Sequence, residues 1–199
     1  GGQTLDSLHI APPHFGEGCV DHRGLLLLLT WQSRFGFVFD LGSLKVQGTF
    51  PIRGEGWGIT RLGDTLWMSN GSHYLYRLDP SRFVPVDSIA VHDQGRRVTR
   101  LNELEVINGW ILANVWMSDS VAVINPRNGA VEGWLDFSDL KRRSCMIRSQ
   151  NCDVLNGLAW DGRYLWATGK LWPDLWVLQV NFPARTSDIR EQRIRTNPK

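Results

Sequence analysis

Three polar residues from distant parts of the chain, Glu17, Asn102 and Lys170, supply a carboxyl group, an amide and an ammonium group. A carboxyl group surrounded by apolar rings has a raised pKa, so it can both accept and release a proton near neutral pH. Lysine and asparagine can donate hydrogen bonds to an oxygen on which negative charge develops. These residue types suit acyl chemistry. No Ser-His-Asp or Cys-His spacing favours an enzyme nucleophile, so we expect the substrate to supply its own.

An internal repeat indicates how these distant residues could meet. Four segments align, and each is predicted to form a strand, a tight turn and a second strand. The segments begin at Phe15, Gly54, Leu101 and Leu155. A third strand is predicted at Phe37–Asp40, Leu75–Asp79 and Val121–Asn125. One short helical turn is expected within Asp136–Arg143.

The spacing of the repeat predicts the fold class. The aligned starting residues are Glu17, Glu55, Asn102 and Asn156, which lie 38, 47 and 54 residues apart. This spacing is typical of the four-stranded blades of a β-propeller. We therefore predict an all-β fold, a β-propeller with about four visible blades.

The register of the repeat predicts a site. Fourteen residues after the four starting positions lie Trp31, Ser69, Trp116 and Lys170. Matched positions of different blades meet at one end of the central channel, so we expect polar and aromatic side chains to converge there. Trp57 is expected to join Trp31 and Trp116 in the site. The other seven indoles are expected to pack within blades: Trp67, Trp110, Trp134, Trp160, Trp166, Trp172 and Trp176.

Charge and hydropathy exclude several classes of function. The 22 basic and 20 acidic residues nearly cancel, to a net charge of +2, so no broad positive field exists to bind nucleic acid or an anionic membrane. The longest aliphatic run, Leu25–Leu29, is too short to cross a bilayer, and the first twenty residues lack a basic start followed by an apolar stretch, so we expect neither a membrane span nor a signal peptide in this chain.

Cysteine and histidine residues give little support for a metal site. The cysteines are Cys19, Cys145 and Cys152, and the five histidines are scattered singly. Cys145 and Cys152 could form a bridge in an oxidising compartment or remain two free thiols, and the sequence leaves both open. We expect neither a metal nor a cofactor.

A series of ordered motifs carries a family resemblance. The strings are FGEG, LTWQ, EGWGIT, LWMSNGS, LNELE, ING, ANVW, LNGLAWDG and TGKLWP, from about Phe15 to Val180. They resemble the plant and bacterial type of glutamine cyclotransferase. The resemblance implies a five-bladed β-propeller that converts N-terminal glutamine to pyroglutamate and releases ammonia without a catalytic metal.

The resemblance also implies roles for individual residues. Glu17 in FGEG matches the family's catalytic carboxylate, and Asn102 in LNELE and Lys170 in TGKLWP match polar groups near the reacting amide. The aromatic pocket corresponds to Trp31, Trp57 and Trp116, with Phe15 at its border. The implied partner is a peptide or protein with an N-terminal glutamine. The protein is expected to be a monomer, secreted or periplasmic.

One blade of the family's five has no counterpart here. Family members carry another repeat before FGEG, whereas only GGQTLDSLHIAPPH precedes Phe15. We therefore expect an N-terminally truncated propeller domain over residues 1–183 and a solvated tail over residues 184–199. Two alternatives stay open: a Trp-lined propeller that binds a ligand without chemistry, and a fragment made inactive by truncation.

Overall fold

The structure is a computed structural model that describes residues 3–4, 6–148, 152–182 and 196–198. It is nearly all β. The first sheet contains β1 (Gly16–His22), β2 (Leu25–Thr30), β3 (Phe35–Asp40) and β4 (Val46–Pro51). The second contains β5 (Ile59–Leu62), β6 (Thr65–Met68), β7 (Tyr74–Leu78) and β8 (Pro85–Ala90).

Two further four-stranded sheets follow a small pair of strands, β9 (His92–Asp93) and β10 (Arg96–Arg97). The third sheet contains β11 (Leu101–Ile107), β12 (Trp110–Val115), β13 (Ser120–Ile124) and β14 (Val131–Asp136). Helix α1 (Ser138–Arg148) leads to the fourth, which contains β15 (Leu155–Trp160), β16 (Leu165–Gly169), β17 (Trp176–Val180) and β18 (Thr196–Pro198).

The four sheets are arranged as propeller blades. Each is antiparallel with its strands in chain order, and the first strands of successive sheets lie side by side: β1 against β5, β5 against β11, and β11 against β15. Apolar clusters fill the space between neighbouring blades. The predicted all-β propeller with four visible blades is confirmed.

Tight turns set the register of the inner hairpins. Arg23 and Gly24 connect β1 to β2, and Asn108 and Gly109 connect β11 to β12. All four have positive φ, at 50°, 78°, 50° and 85°. Two consecutive positive-φ residues define the turn type whose twist matches that of the flanking strands. The turns therefore fix which residue of one strand pairs with which residue of the other along each hairpin.

A β-bulge recurs near the start of three inner strands. The pairing shifts between Gly16 and Cys19, between Leu101 and Leu104, and between Leu155 and Leu158. A bulge interrupts the alternation of side chains, so two consecutive residues can turn toward the same side. This is how both Asn102 and Glu103 come to border the central axis.

The predicted register is wrong by two residues in the second repeat. Leu62 pairs with Thr65 just as His22 pairs with Leu25. Counting back from those turns, Trp57 rather than Glu55 occupies the position of Glu17. By the same count, Gly71 rather than Ser69 corresponds to Trp31. The letters Gly-Glu-Gly, which occur in both repeats, favoured the wrong alignment.

Helix α1 is longer than the single turn expected from the sequence. Asp136 Oδ1 accepts a hydrogen bond from Ser138 N at 2.9 Å, which satisfies one free amide of the first turn. Leu140 packs into the cluster between the third and fourth blades. Cys145 is bonded to Cys152 in a disulfide, which resolves the alternative that the sequence left open.

Two expectations at the periphery differ from the structure or fall partly outside it. Trp134 is 40% exposed on β14, where its indole N–H donates to Asp93 Oδ2, so it does not fill a blade interior. Most of the predicted tail lies outside the described residues, but Thr196–Pro198 pair with β17 as an outer strand. Among the described residues, no helix is long and apolar enough to span a membrane.

Candidate active site

One pocket lies at an end of the propeller axis and has a volume of about 250 Å³. It is lined by Phe15, Glu17, Trp31, Glu55, Trp57, Asn102, Trp116 and Lys170. These eight include all seven residues to which the sequence analysis gave a catalytic or binding role. The eighth, Glu55, had been placed in the repeat but given no role.

The bulged inner strands position the polar groups of the pocket. Glu17 lies in the bulge of β1 and Asn102 in the bulge of β11. Lys170 follows β16, where its backbone N–H donates to Val154 O and its carbonyl accepts from Asp153 N, each at 2.9 Å. Hydrogen-bonded backbone therefore holds all three groups, although they are far apart in the sequence.

Glu17 combines partial burial with a nearby cation. Desolvation raises the pKa of its carboxyl group, the charge of Lys170 opposes that rise, and the charge of Glu55 adds to it. The net direction is upward. A carboxyl group with a raised pKa can exchange protons with an amine more readily than an ordinary surface glutamate.

Indole and phenyl rings form the walls. Trp57 and Trp116 meet edge to face, with ring centroids 5.6 Å apart and planes at 76°. Phe15 and Trp31 make a similar contact at 6.3 Å and 74°. Phe15, Trp31 and Trp116 are exposed at the rim, so a ligand entering the pocket would cover them.

Glu55 ties two of these indoles to each other. Its Oε2 accepts hydrogen bonds from Trp57 Nε1 at 2.8 Å and from Trp31 Nε1 at 3.0 Å, and Oε1 accepts one from Gln32 at 3.3 Å. These bonds lower the pKa of Glu55, with the bond from Trp57 contributing most. Nothing in the sequence marks a contact between Glu55 and Trp31, because the two belong to different repeats.

Ser69 supports the site from behind instead of lining it. It is fully buried, and its Oγ accepts from Gly58 N at 2.8 Å while donating to Asn102 O at 2.6 Å. Ser69 therefore joins the second blade to the strand that carries Asn102. The expectation that its hydroxyl would converge with the polar groups of the site is wrong.

Gly71 makes room for the indole of Trp57. A Cβ atom at this position would lie 2.6 to 2.8 Å from the ring, well inside van der Waals contact. The φ angle of +80° also belongs to the left-handed region that favours glycine. Both observations indicate that the indole lies directly against this turn.

In the parts of the chain that the structure describes, side chains that could bind a metal ion do not form a cluster. There, no group of three or more His, Cys, Asp or Glu side chains has a geometry that could hold one. The arrangement of the pocket is instead that of a proton carrier and hydrogen-bond donors between aromatic walls.

Comparison with known proteins gives this arrangement a family. A family model described as glutamine cyclotransferase matches residues 1–180. The chain belongs to the glutamine cyclotransferase family. The resemblance noted in the sequence motifs is thereby confirmed.

Two relatives show how the chain compares with longer members. It is 40% identical over 184 residues to the glutaminyl-peptide cyclotransferase of Arabidopsis thaliana, covering 90% of this chain and 58% of that protein. It also matches the crystal structure of Myxococcus xanthus glutaminyl cyclase with a TM-score of 0.79 and 30% identity, covering 94% of this chain and 75% of the other. The chain thus spans little more than half the length of the plant relative.

Proposed function

We propose that this chain acts as a glutaminyl-peptide cyclotransferase, which converts an N-terminal glutamine to pyroglutamate and releases ammonia. The observation that carries the proposal is the partly buried carboxyl group of Glu17, beside Lys170 in a pocket walled by indoles. Both relatives, a glutaminyl-peptide cyclotransferase and a glutaminyl cyclase, support the proposal.

Aromatic walls suit the entropic problem of this reaction. The α-amine of the substrate must reach the carbonyl carbon of its own side chain, so the enzyme must hold glutamine in one folded conformation. Flat, rigid rings such as Trp57 and Trp116 can confine that conformer with little loss of their own freedom. Phe15 and Trp31 would cover it at the rim.

Glu17 is proposed to carry the proton. The α-ammonium group, with a reference pKa near ~8, gives a proton to the Glu17 carboxylate before the amine attacks. The C–N bond of the lactam then forms, and the carbonyl becomes a tetrahedral oxyanion. Glu17 returns the proton to the side-chain nitrogen, and the old C–N bond breaks to release ammonia. The restored carboxylate then takes the extra proton from the lactam nitrogen and passes it to the departing ammonia, which leaves as ammonium, so the cycle balances without another reactant.

Lys170 and Asn102 are proposed to stabilise the oxyanion. Each can donate hydrogen bonds from its side chain, and both border the pocket with Glu17. Loss of one such donor typically lowers the rate ~10²-fold or more. Because these groups and Glu17 supply acid, base and charge stabilisation, we propose a reaction without a metal or cofactor.

The setting of the protein is also a proposal. The Cys145–Cys152 disulfide is typical of oxidising compartments, which supports secretion or export to the periplasm. The substrates would be peptides or proteins with an N-terminal glutamine. The pocket draws on all four blades of one chain, so we propose that a monomer is sufficient.

The direct experiment follows ammonia and the free α-amine of a glutaminyl peptide together. We expect both to change in equal amounts, because one cyclisation consumes one amine and releases one ammonia. The same peptide with an acetylated N-terminus has no nucleophile and should release none. Ammonia from the acetylated peptide would indicate an amidase, and no ammonia from either would favour a binding protein or an inactive fragment.

A further inference from the structure

A second cavity of about 610 Å³ runs along the axis behind the pocket. All four inner strands contribute to it, and Glu17 borders both spaces. The proposed proton carrier therefore forms a wall between the substrate pocket and a polar channel. The side chains on the channel side of Glu17 therefore determine how much water and how much charge surround its carboxyl group.

Each inner strand contributes one residue to a layer next to Glu17, and three of these four residues are glycine. The residues that follow the matched positions Glu17, Trp57, Asn102 and Asn156 are Gly18, Gly58, Glu103 and Gly157. A Cβ on Gly18 would come within 2.9 Å of the backbone at Trp57 and Gly58, and one on Gly58 would come within 2.9 Å of the Cα of Glu103. The glycines thus let the inner strands approach closely.

Glu103 is the one member of this layer with a side chain. The bulge of β11 turns Asn102 toward the pocket and Glu103 toward the channel. The titratable residues that line the channel together with Glu103 are Glu17, Cys19 and Asp21 on β1, Arg61 on β5 and Glu105 on its own strand, while β15 contributes none. A carboxyl group with few cations around it should remain protonated.

Electrostatics agree with this geometry. Burial is the largest cause that raises the pKa of Glu103 to about 8, and the charges of Glu105 and Glu17 contribute to the same rise. The pKa of Glu17 is also raised, first by desolvation, with the charge of Lys170 opposing the rise and that of Glu55 adding to it. Near neutral pH Glu103 therefore keeps its proton.

We propose that Glu103 is a positioning residue of the active site, a neutral carboxylic acid that closes its channel side and keeps water and negative charge away from Glu17. The proposal rests on the cyclotransferase function proposed above. It assigns two separable effects to one side chain: its volume maintains the desolvation of Glu17, and its neutrality lets Glu17 ionise at working pH. Ionisation of Glu103 would place a second negative charge beside Glu17 and oppose the oxyanion.

The first test needs no activity. In protein labelled with ¹³C at glutamate carboxyl carbons, and assigned with Glu17→Gln, the Glu17 resonance should titrate in two steps, the second near pH 8. Glu103→Gln keeps the volume and removes the charge, so the second step should disappear. Cys19→Ser, a neutral change in the same channel, should leave both steps in place. A Glu17 resonance that does not respond near pH 8 would overturn the proposal.

The second test uses the pH dependence of kcat with a saturating glutaminyl peptide. Glu103→Gln should match the parent below pH 8 and lose the decline that the parent shows above it. Glu103→Ala should admit water, shift the acid limb to lower pH and lower kcat. If Glu103 had only a structural role, both substitutions would lower kcat by the same factor at every pH and leave the pH of each limb unchanged. That result would refute the proposal. If the parent protein shows no turnover, the proposed function is contradicted. The NMR titration of Glu17 would still test whether Glu103 controls its ionisation.

Discussion

At the scale of single residues, the pocket holds two carboxyl groups whose surroundings shift their pKa values in opposite directions. Glu17 is partly desolvated and has a raised pKa, so it suits proton transfer. Glu55 is stabilised as an anion by hydrogen bonds from Trp57, Gln32 and Trp31, so it suits a fixed structural charge. The surroundings of the two glutamates thus suit one to proton transfer and the other to a fixed negative charge, a pattern known from other acid–base sites.

Glu55→Ala tests the structural charge. The substitution leaves the indole N–H groups of Trp31 and Trp57 without their acceptor, so the aromatic walls should lose their orientation. A hydrogen bond to a charged group contributes about 1.5–3 kcal/mol, and we expect kcat/KM to fall about 10- to 100-fold, mainly through KM. Glu55→Gln keeps an acceptor oxygen and should lose less. Steady-state kinetics that show equal loss in both variants would contradict this role.

At the scale of secondary structure, the site depends on bulges and turns more than on the strands themselves. The bulges of β1 and β11 present Glu17 and Asn102 to the same end of the axis. Ser69 and Gly71, which follow β6, fix the neighbouring strand and the indole of Trp57. Small residues outside the pocket lining therefore control its shape.

Gly71→Ala should displace an aromatic wall without removing any pocket residue. The new methyl group would overlap the ring of Trp57, and the positive φ would cost about 1 kcal/mol or more. We expect KM for glutaminyl peptides to rise several-fold and Trp fluorescence to change. Gly63→Ala, at a turn with positive φ and nothing within 4 Å of the new Cβ, is the matched control for backbone strain alone. Equal kinetic effects in the two variants would argue against the contact with Trp57.

The sequence predicted these elements unevenly, for physical reasons. The repeat and its turns gave the inner strands and placed Glu17, Asn102 and Lys170 together, because two-residue turns fix the register of a hairpin. The second repeat was misaligned because a shared Gly-Glu-Gly string outweighed the turn position. The hydrogen bond from Trp31 to Glu55 depends on how two blades pack, and no local pattern encodes that contact.

At the scale of the whole molecule, the blades are held by packing between them and by one covalent link. The disulfide fixes the end of α1 next to the start of the fourth blade. The indole N–H of Trp176 donates to Ser144 Oγ at 2.7 Å, and Arg143 lies 4.7 Å from the centre of the same ring. The sequence could not decide this bridge, because it depends on the position of a helix that was expected to be shorter.

Removing the disulfide should lower stability while sparing the pocket. Cys145 and Cys152 are 7 positions apart, and the entropy of closing so short a loop corresponds to about 2 kcal/mol. For a chain of this size that amounts to roughly 5 °C in Tm. The double variant Cys145→Ser, Cys152→Ser should show this shift in a thermal melt, with kcat unchanged well below Tm. A loss of kcat at low temperature would link the helix to the site.

Glu103→Gln should stabilise the fold at neutral pH. Because the pKa of Glu103 is raised to about 8 from 4.5, the unfolded chain ionises first and the wild-type fold loses stability as pH rises between these values. The slope can reach at most about 1.4 kcal/mol per pH unit for one proton. Urea unfolding should therefore show a difference that grows from pH 4.5 to 8 and then levels off. A constant difference across this range would contradict the assigned pKa.

The central claim is that Glu17 moves the proton within a pocket that binds the glutaminyl end by other groups. Glu17→Gln should lower kcat by about 10² to 10⁴-fold, the usual contribution of a general acid–base group, because glutamine cannot accept the proton. Peptide affinity, measured by calorimetry on this slow variant, should change less than about threefold, because the indole walls remain. Turnover that survives in Glu17→Gln, or affinity that disappears with it, would contradict the account.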